Sequence, residues 1–492
     1  MQSLNELKDV ILFKLSYSND VMTRDFTCLN NIKASIIWIE NIVDACKINR
    51  SVLEPLMETK DSIKGDKADV INIIKLKFEY ILDTKIETDL DAVIKWLLCG
   101  YCALIIDKQK EIILLNAQNW KTRAISEPPT SPVFKGPREG FVEDICVNLM
   151  LIRKRLMTPD LVVESFNEGQ YSNSKTCLIY IKSIASDKII KKVREKLQKI
   201  NIDGIINSFY IEQYLEDRAY SLFKQIGSTE KPDVFESKLL EGRVGILVNG
   251  SPIALTIPYL LLEDIQSNND YYFSRGLRVT FLRYLRLIGA LFAIYLPGIY
   301  VAIQIYHYKI LPLKFLITIS NSSQGIPFTP IVEILFVIVL FEALYEASLR
   351  MPRYIGLALS VVGALILGET AVNAGLVSSP TVMIVAMTGV LLYTVPEQES
   401  QLSMLRIIAT LEGGIIGIYG ILLSIVFTII YLTNFDSYGT PYFAPASPHI
   451  KKDQKDALRR VDIQHMITRP KSIPNKNPIR IKMENEDEGT DN

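Results

Sequence analysis

The stretch LIGALFAIYLPGIYVAIQIY at residues 287–306 decides the fold class, because an uncharged run of this length is more than a soluble core helix needs. A bilayer core about 30 Å thick is crossed by roughly 20 apolar helical residues. Further long apolar runs follow at residues 331–349, 354–374, 376–395 and 405–432. The sequence therefore predicts an α-helical transmembrane bundle of about four to six spans within residues 271–434.

The flanks of these runs suggest an orientation. Residues 1–8 (MQSLNELK) are polar and do not resemble a signal peptide. Arg275, Arg278, Arg283 and Arg286 precede the first run, and basic residues favour the cytoplasmic side of a membrane helix. We expect the N-terminal region and the basic tail on that side, which requires an even number of crossings. Segment 309–320 is predicted to be interfacial or re-entrant, or to supply a sixth crossing.

The residues before the first run predict an α+β soluble region of two subdomains. The first, residues 1–158, reads as mostly helical, with helices at 32–46, 70–83 and 90–98 and a hairpin of strands 102–106 and 112–115. The second, residues 159–270, reads as strand 177–181, helices 188–200 and 211–215, and a hairpin of strands 244–248 and 253–257. Asn-Gly at 249–250 favours that last turn. The tail, residues 435–492, is polar and proline-interrupted, which predicts disorder.

Enzyme chemistry has little support in the residue types. Cys99 and Cys102 have the spacing of a redox or half-zinc motif, but a helix that runs into a buried strand is the favoured explanation. No second CxxC motif occurs, and His307, His449 and His465 all lie outside the soluble region. Phosphate-binding glycine loops are also missing from the sequence. We therefore predict no enzyme activity, no metal and no cofactor.

Residues 188–199 (KIIKKVREKLQK) predict a strongly basic helix. Its charged side is explained by exposure to water, or by contact with anionic lipid headgroups or a partner protein. The aromatic residues that stack on nucleic acid bases are not interleaved with these lysines. Nucleic acid is therefore not a predicted partner.

Several motifs in fixed order resemble the A subunits of the GerA-type spore germinant receptors, over roughly residues 90–445. They are TRAISEP at 122–128, GPREGFVED at 136–144, Asn148, LIRKR at 151–155, EGRV at 241–244, NDYY at 269–272, PFTP at 327–330 with Glu333, FE at 341–342, EASLRMP at 346–352, VNAGLVS at 372–378 and YGTPYFAP at 438–445.

The resemblance implies a membrane component of a nutrient receptor in the inner membrane of a dormant bacterial spore. It implies as partners a transporter-like B subunit, which holds the nutrient, and a lipoprotein C subunit. It also implies a homo-oligomer of A subunits that forms an ion channel. Related A subunits often have Gln at the position of Glu369 and Glu at that of Asn373, so the acidic group is displaced by one helical turn here. A sporulation-stage paralogue that shares the fold remains an open alternative.

The third apolar run, 354–374, contains the candidate pore helix. At 100° per residue, small residues that allow close helix packing form one stripe, namely Gly356, Ser360 and Gly363. A second stripe contains Val362, Ile366, Glu369 and Asn373. Copies arranged around an axis would give an apolar constriction and a ring of acidic groups, which favours cations. The alternative is a helix buried in a monomeric bundle, with Glu369 neutralised or hydrogen-bonded inside.

Glu333, Glu342 and Glu346 in the second run are further pore candidates. A charge at membrane depth costs about 2.5–3.5 kcal/mol on insertion scales, so such groups face water, protein or each other. Glu346 could instead pair with Arg350 one turn later, and Glu333 could cap the first turn of its own helix. The predicted function is a nutrient-gated cation channel. The alternatives are a non-conducting scaffold or signal-relay subunit and, with less support, an alternating-access carrier.

Overall fold

The computed structural model describes residues 3–28, 32–58, 78, 82–119, 135–267, 270, 275–352, 363 and 366–481. Two β-sheet subdomains come first, a group of long helices follows, and the tail after residue 434 returns to the second subdomain.

The first subdomain is built on a five-stranded antiparallel sheet in the order β1-β2-β4-β5-β3. Its strands are β1 (Val21–Cys28), β2 (Ile32–Ile39), β3 (Thr84–Glu87), β4 (Tyr101–Ile106) and β5 (Ile112–Asn116). Helices α1 (Leu4–Lys14) and α2 (Leu90–Leu98) pack on it, and the short helices Ala45–Ile48 and Glu54–Glu58 follow β2.

The prediction of a mostly helical first subdomain is therefore wrong. Residues 32–39 form β2 rather than the start of a helix over 32–46. The segment is rich in isoleucine, and it becomes a strand because β1 and β4 pair with both of its edges. Helix 90–98 and the hairpin of strands 102–106 and 112–115 are confirmed. Most of the helix predicted at 70–83 lies outside the described residues.

The second subdomain has a five-stranded antiparallel sheet in the order β6-β7-β9-β10-β8. Its strands are β6 (Leu161–Glu168), β7 (Ser174–Ile181), β8 (Gly227–Thr229), β9 (Val244–Val248) and β10 (Ala254–Ile257), and its helices are α4 (Asp187–Leu197), α5 (Ser208–Leu215) and α6 (Pro232–Glu241). α3 (Ile145–Arg155) comes before β6. The turn between β9 and β10 places Gly250 at φ +85°, as an Asn-Gly hairpin turn requires.

One hydrophobic cluster spans both sheets, so the soluble region is a single packed body. Leu161 and Val163 of β6 belong to the same buried cluster as Leu104 of β4. A buried ion pair lies at the same boundary, where Arg153 of α3 binds Asp20 in the loop before β1 through contacts of 2.7 and 2.8 Å, and α3 also packs on α6 and β9. The hydroxyl of Ser18 accepts the backbone N–H of Val163 at 2.9 Å. These contacts fix the subdomains relative to each other.

The helical region contains α7 (Gly276–Tyr306), α8 (Leu313–Ser323), α9 (Pro330–Arg350), α10 (Ser379–Leu392), α11 (Glu399–Ile415) and α12 (Ile418–Thr433). Between α9 and α10, residues Ile366–Thr370 form a π-helical turn that continues into Ala371–Asn373. α7 packs mainly on α11 and α10. At its closest approach Gly298 lies against Gly413, where a Cβ atom would meet the opposite backbone.

The predicted four to six spans are not confirmed. Within the described ranges one helix, α7, is long and apolar enough to cross a membrane, and α10 with α11 gives a second if that pair, bent by 108°, forms one span. The run at 405–432 is divided by Gly417, whose φ is +76°. The run at 376–395 gives a helix of only 14 residues. Much of the run at 354–374 lies outside the described residues.

The tail is packed rather than disordered over residues 435–481. The aromatic rings of Phe435, Tyr438 and Tyr442 are buried against the second subdomain. The hydroxyl of Tyr438 donates to the carbonyl of Leu215 at 2.7 Å. Further along, Lys476 binds Asp187 at 2.6 Å. The polar composition that predicted disorder here serves instead to make hydrogen bonds and ion pairs to the soluble region.

Candidate functional site

The bend between α10 and α11 docks directly on the second soluble subdomain. The ammonium group of Lys224 lies 2.8 Å from a carboxylate oxygen of Glu397 in this bend. The side-chain amide of Gln398 donates to Asp264 at 2.6 Å and to the hydroxyl of Tyr259 at 3.1 Å. These contacts join the second soluble subdomain directly to α10 and α11.

A cavity of about 820 Å³ lies beside this contact, where the soluble region, the helices and the tail meet. Lys238, Arg243 and Glu263 line it from the soluble side, Arg286 from α7 and Asp456 from the tail. Lys238 approaches Glu263 to 3.2 Å, and Arg243 also binds that carboxylate. Two basic side chains of the soluble region thus neutralise Glu263 in the wall of the cavity.

Two carboxyl groups near the bend have pKa values raised close to neutral pH. Burial raises the pKa of Asp264 to about 6, and the nearby charge of Lys224 opposes this rise without cancelling it. Burial likewise raises the pKa of Glu212, on α5, to about 7 against the same lysine. Mild acidification would therefore change the charge balance around Lys224.

A second cluster of charged residues fixes the N-terminal half of α7. Arg283 is fully buried and donates to the backbone carbonyl of Ala457 and to Asp270 at 2.7 and 3.2 Å. Arg286 makes two hydrogen bonds of 2.8 Å to the same Asp270. Two of the arginines that the sequence assigned to membrane orientation therefore also join α7 to the soluble region and the tail.

Glu342 of α9 has a partner that sequence reasoning missed. Arg406 of α11 is fully buried and donates to Glu342 at 2.6 Å, and Ser403 donates to the same oxygen. The available signal was a basic residue at the start of the apolar run 405–432. This pair connects α9 to α11 within the helical region.

Glu333 also has a partner on another helix. It is buried, and its carboxylate accepts the backbone N–H and the hydroxyl of Ser378 at 2.6 and 2.7 Å. Ser378 is the residue before the first turn of α10. Glu333 lies in the first turn of its own helix, as sequence analysis placed it, and its carboxylate also satisfies the N-terminus of α10.

Glu346 pairs with Arg350 at 2.5 Å, as its i,i+4 spacing predicted. Both side chains are largely exposed. This confirms the ion pair that sequence analysis set against a pore role for Glu346.

The second stripe of pore candidates is only partly described. Glu369 and Asn373 are exposed, on and just after the π-helical turn. The backbone of Ile366 begins that turn, and Val362 lies outside the described residues. Of the packing stripe, Gly363 is buried beside Leu344 of α9, while Gly356 and Ser360 lie outside the described residues. The pore roles stay predictions.

Comparison with known proteins gives one consistent family. The family model described as Bacillus/Clostridium GerA spore germination protein matches residues 9–472. Spore germination protein KA of Bacillus subtilis (strain 168) is 35% identical over 467 residues, covering 94% of this chain and 85% of that protein. Spore germination protein A1 of the same strain is 33% identical, covering 95% of each chain.

Two further similarities are to a protein named as a membrane protein and to a solved N-terminal domain. Uncharacterized membrane protein YfkQ of Bacillus subtilis (strain 168) is 35% identical, covering 92% of this chain and 88% of that protein. The second is the crystal structure of the N-terminal domain of the A subunit of the Bacillus megaterium spore germinant receptor GerK3, with 30% sequence identity. It covers 53% of this chain and 98% of that chain, with a TM-score of 0.42.

Proposed function

Because this chain belongs to the Bacillus/Clostridium GerA spore germination protein family, we propose that it is the A subunit of a germinant receptor and that several copies form a nutrient-gated cation channel. Its relatives named for spore germination, and the relative named as a membrane protein, support the process and the membrane setting. The apolar helix α7 supports the same setting. The inner membrane of the spore, with the soluble region on its cytoplasmic side, is part of the proposal.

The observation that carries the channel proposal is the exposure of Glu369 and Asn373 next to the apolar helices. A carboxylate that faced lipid there would cost about 2.5–3.5 kcal/mol, so the group requires water or protein beside it. Glu333 and Glu342 are already bound within the chain. Glu369, the acidic residue of the second stripe, is thus better placed than Glu333 or Glu342 to face its copies around a shared axis.

The transporter-like B subunit and the lipoprotein C subunit complete the proposed receptor. In this scheme the nutrient binds the B subunit, and the signal reaches this chain through its soluble region. The contacts of Lys224 and Gln398 with the bend and with Asp264 give that signal a direct route to α10 and α11.

The second candidate function is a scaffold or relay subunit that conducts nothing. The same junction supports this candidate. Buried charges join the soluble region, the bend and the tail, and such contacts suit a subunit that passes a conformational change from one part to another. A scaffold needs those contacts but has no use for an exposed Glu369.

Reconstitution separates the two candidates. The purified chain, alone and with its partner subunits, is placed in liposomes, and potassium and chloride fluxes are measured. The channel proposal expects cation-selective flux, with lower selectivity in Glu369→Gln and unchanged selectivity in Glu195→Gln, a control on the exposed side of α4. Absence of conductance in every oligomeric form would favour the scaffold.

A further inference from the structure

We propose that residues 217–223 of the second soluble subdomain, here called the interface loop, contact the lipid headgroup layer through Tyr220 and Leu222. The inference rests on the proposed membrane placement of the helices and adds a lipid contact made by the soluble region. It also offers a use for the basic character of the neighbouring helix α4.

The interface loop is fixed to the end of the apolar helix α12. The hydroxyl of Tyr431 donates to Ser221 at 2.9 Å, and Arg218 donates to the backbone carbonyl of Asn434 at 3.2 Å. The guanidinium group of Arg218 also lies 4.8 Å from the ring centre of Phe435. The loop therefore stays at the level where the chain leaves α12.

The outer side of α12 is apolar up to that level. Seven of its large side chains are about half exposed or more, namely Tyr419, Leu422, Leu423, Val426, Phe427, Ile429 and Ile430. In a membrane this side faces the acyl chains, since the one polar group among these side chains, the hydroxyl of Tyr419, lies in the first turn of the helix. The headgroup layer then begins near Tyr431, beside the interface loop.

The composition of the loop suits this position. Tyr220 is fully exposed and Leu222 is 43% exposed, while Phe223, the last residue of the loop, is buried against the ring of Tyr431. Tyrosine is enriched at membrane interfaces because its ring is apolar and its hydroxyl remains hydrated. Arg218 beside it is also suited to the phosphates of lipid headgroups.

The basic helix α4 lies behind the loop. Lys192 and Lys196 each bind Asp217 at 2.8 Å and lie over the ring of Tyr438 at 4.6 and 5.0 Å. The acidic residue of the loop is thus neutralised. Exposed lysines on the same helix add a positive field, and each Lys near an anionic surface contributes about 1 kcal/mol of attraction.

The loop's attachment to α12 favours lipid over a partner protein as its occupant. The apolar side of α12 and the exposed side chains of the loop form one surface of the same chain. A partner subunit could cover Tyr220 only in the assembled receptor. An experiment on the isolated chain in a bilayer therefore distinguishes lipid from a partner protein as the occupant.

The test uses the full chain alone in phosphatidylcholine and phosphatidylglycerol vesicles, with brominated or ordinary acyl chains, and measures the extra fluorescence quenching caused by an introduced tryptophan. Tyr220→Trp is the test variant. Leu423→Trp, in the middle of α12, reports membrane insertion, and Tyr171→Trp, in the exposed turn between β6 and β7, is the matched negative control.

We expect strong quenching for Leu423→Trp, clear quenching for Tyr220→Trp at least twofold above that of Tyr171→Trp, and the same order in repeated reconstitutions. Quenching of Leu423→Trp without that of Tyr220→Trp overturns the lipid contact, while the membrane placement stands. Lack of quenching at both positions overturns the membrane placement itself.

Discussion

Replacement of Arg153 by methionine tests whether the two soluble subdomains depend on the buried ion pair between them. Arg153 and Asp20 are only 2% and 3% exposed, and two hydrogen bonds of 2.7 and 2.8 Å join them. Ser18 adds a donor to Asp20 at 2.6 Å. In Arg153→Met the carboxylate stays buried and keeps Ser18 as its side-chain partner.

The expected loss follows from this burial. Removal of one partner of a buried ion pair costs about 3–5 kcal/mol, because the other charge remains in a poorly solvated site. The matched control is Arg194→Met. Arg194 makes the same kind of double contact with Glu164, at 2.5 and 2.8 Å, but its side chain is 37% exposed. Water can replace that guanidinium, so the control should lose about 1 kcal/mol or less.

Urea unfolding of the purified chain in detergent measures both values. Far-UV circular dichroism follows both subdomains, which is needed because Arg194 lies in the second, and the fluorescence of the three tryptophans, at positions 38, 96 and 120, follows the first. The double variant Arg153→Met with Asp20→Leu should recover most of the loss, because no buried charge is left alone. Equal losses for Arg153→Met and Arg194→Met would refute the reasoning.

Three other predictions concern the junction and the helices. Asp264 holds its proton more tightly in the folded chain, with a pKa of about 6 against 3.8 for the unfolded carboxyl, so the free energy of unfolding should fall as pH rises from about 4 to about 6. Asp264→Asn should flatten that profile in pH-dependent unfolding, and an unchanged slope would contradict the assignment. Glu342→Ala should lower the melting temperature in detergent far more than Glu346→Ala, because Arg406 is fully buried whereas the arginine partner of Glu346 is largely exposed. Glu333→Leu should cost about 0.5–2 kcal/mol by removing the cap of α10, while Glu333→Gln keeps an acceptor and should cost less; similar losses in thermal unfolding would exclude the capping role.

Local patterns predicted the elements whose contacts are close in sequence. The helix at 90–98, both hairpins and the pair of Glu346 with Arg350 all depend on spacings of a few residues, which the sequence displays directly. The strand β2 was missed because its apolar residues suit a helix or a strand equally. Its pairing with β1 and β4 settled the choice, and β4 lies far along the chain.

In the candidate site too, the sequence located residues but did not indicate their distant partners. The sequence located the glutamates of the helical region, but Glu342 and Arg406 are 64 residues apart, and no spacing rule connects them. Ser378, the partner of Glu333, is likewise 45 residues away, beyond the reach of a local spacing rule. Motif residues such as Asp270 and Arg243 were recognised only as parts of a resemblance, and their contacts place them at the junction of the three parts.

By itself, the sequence determined that a soluble α+β region precedes apolar helices, because hydrophobic periodicity and run length are local properties of a chain. Tertiary structure alone decided which carboxylates are bound internally, how the tail folds back, and where the bend of α10 and α11 meets the soluble region. These features depend on burial and on partners distant in sequence. The free energy of a buried charge is set by whatever group the fold brings beside it, and that group is not marked in the local pattern.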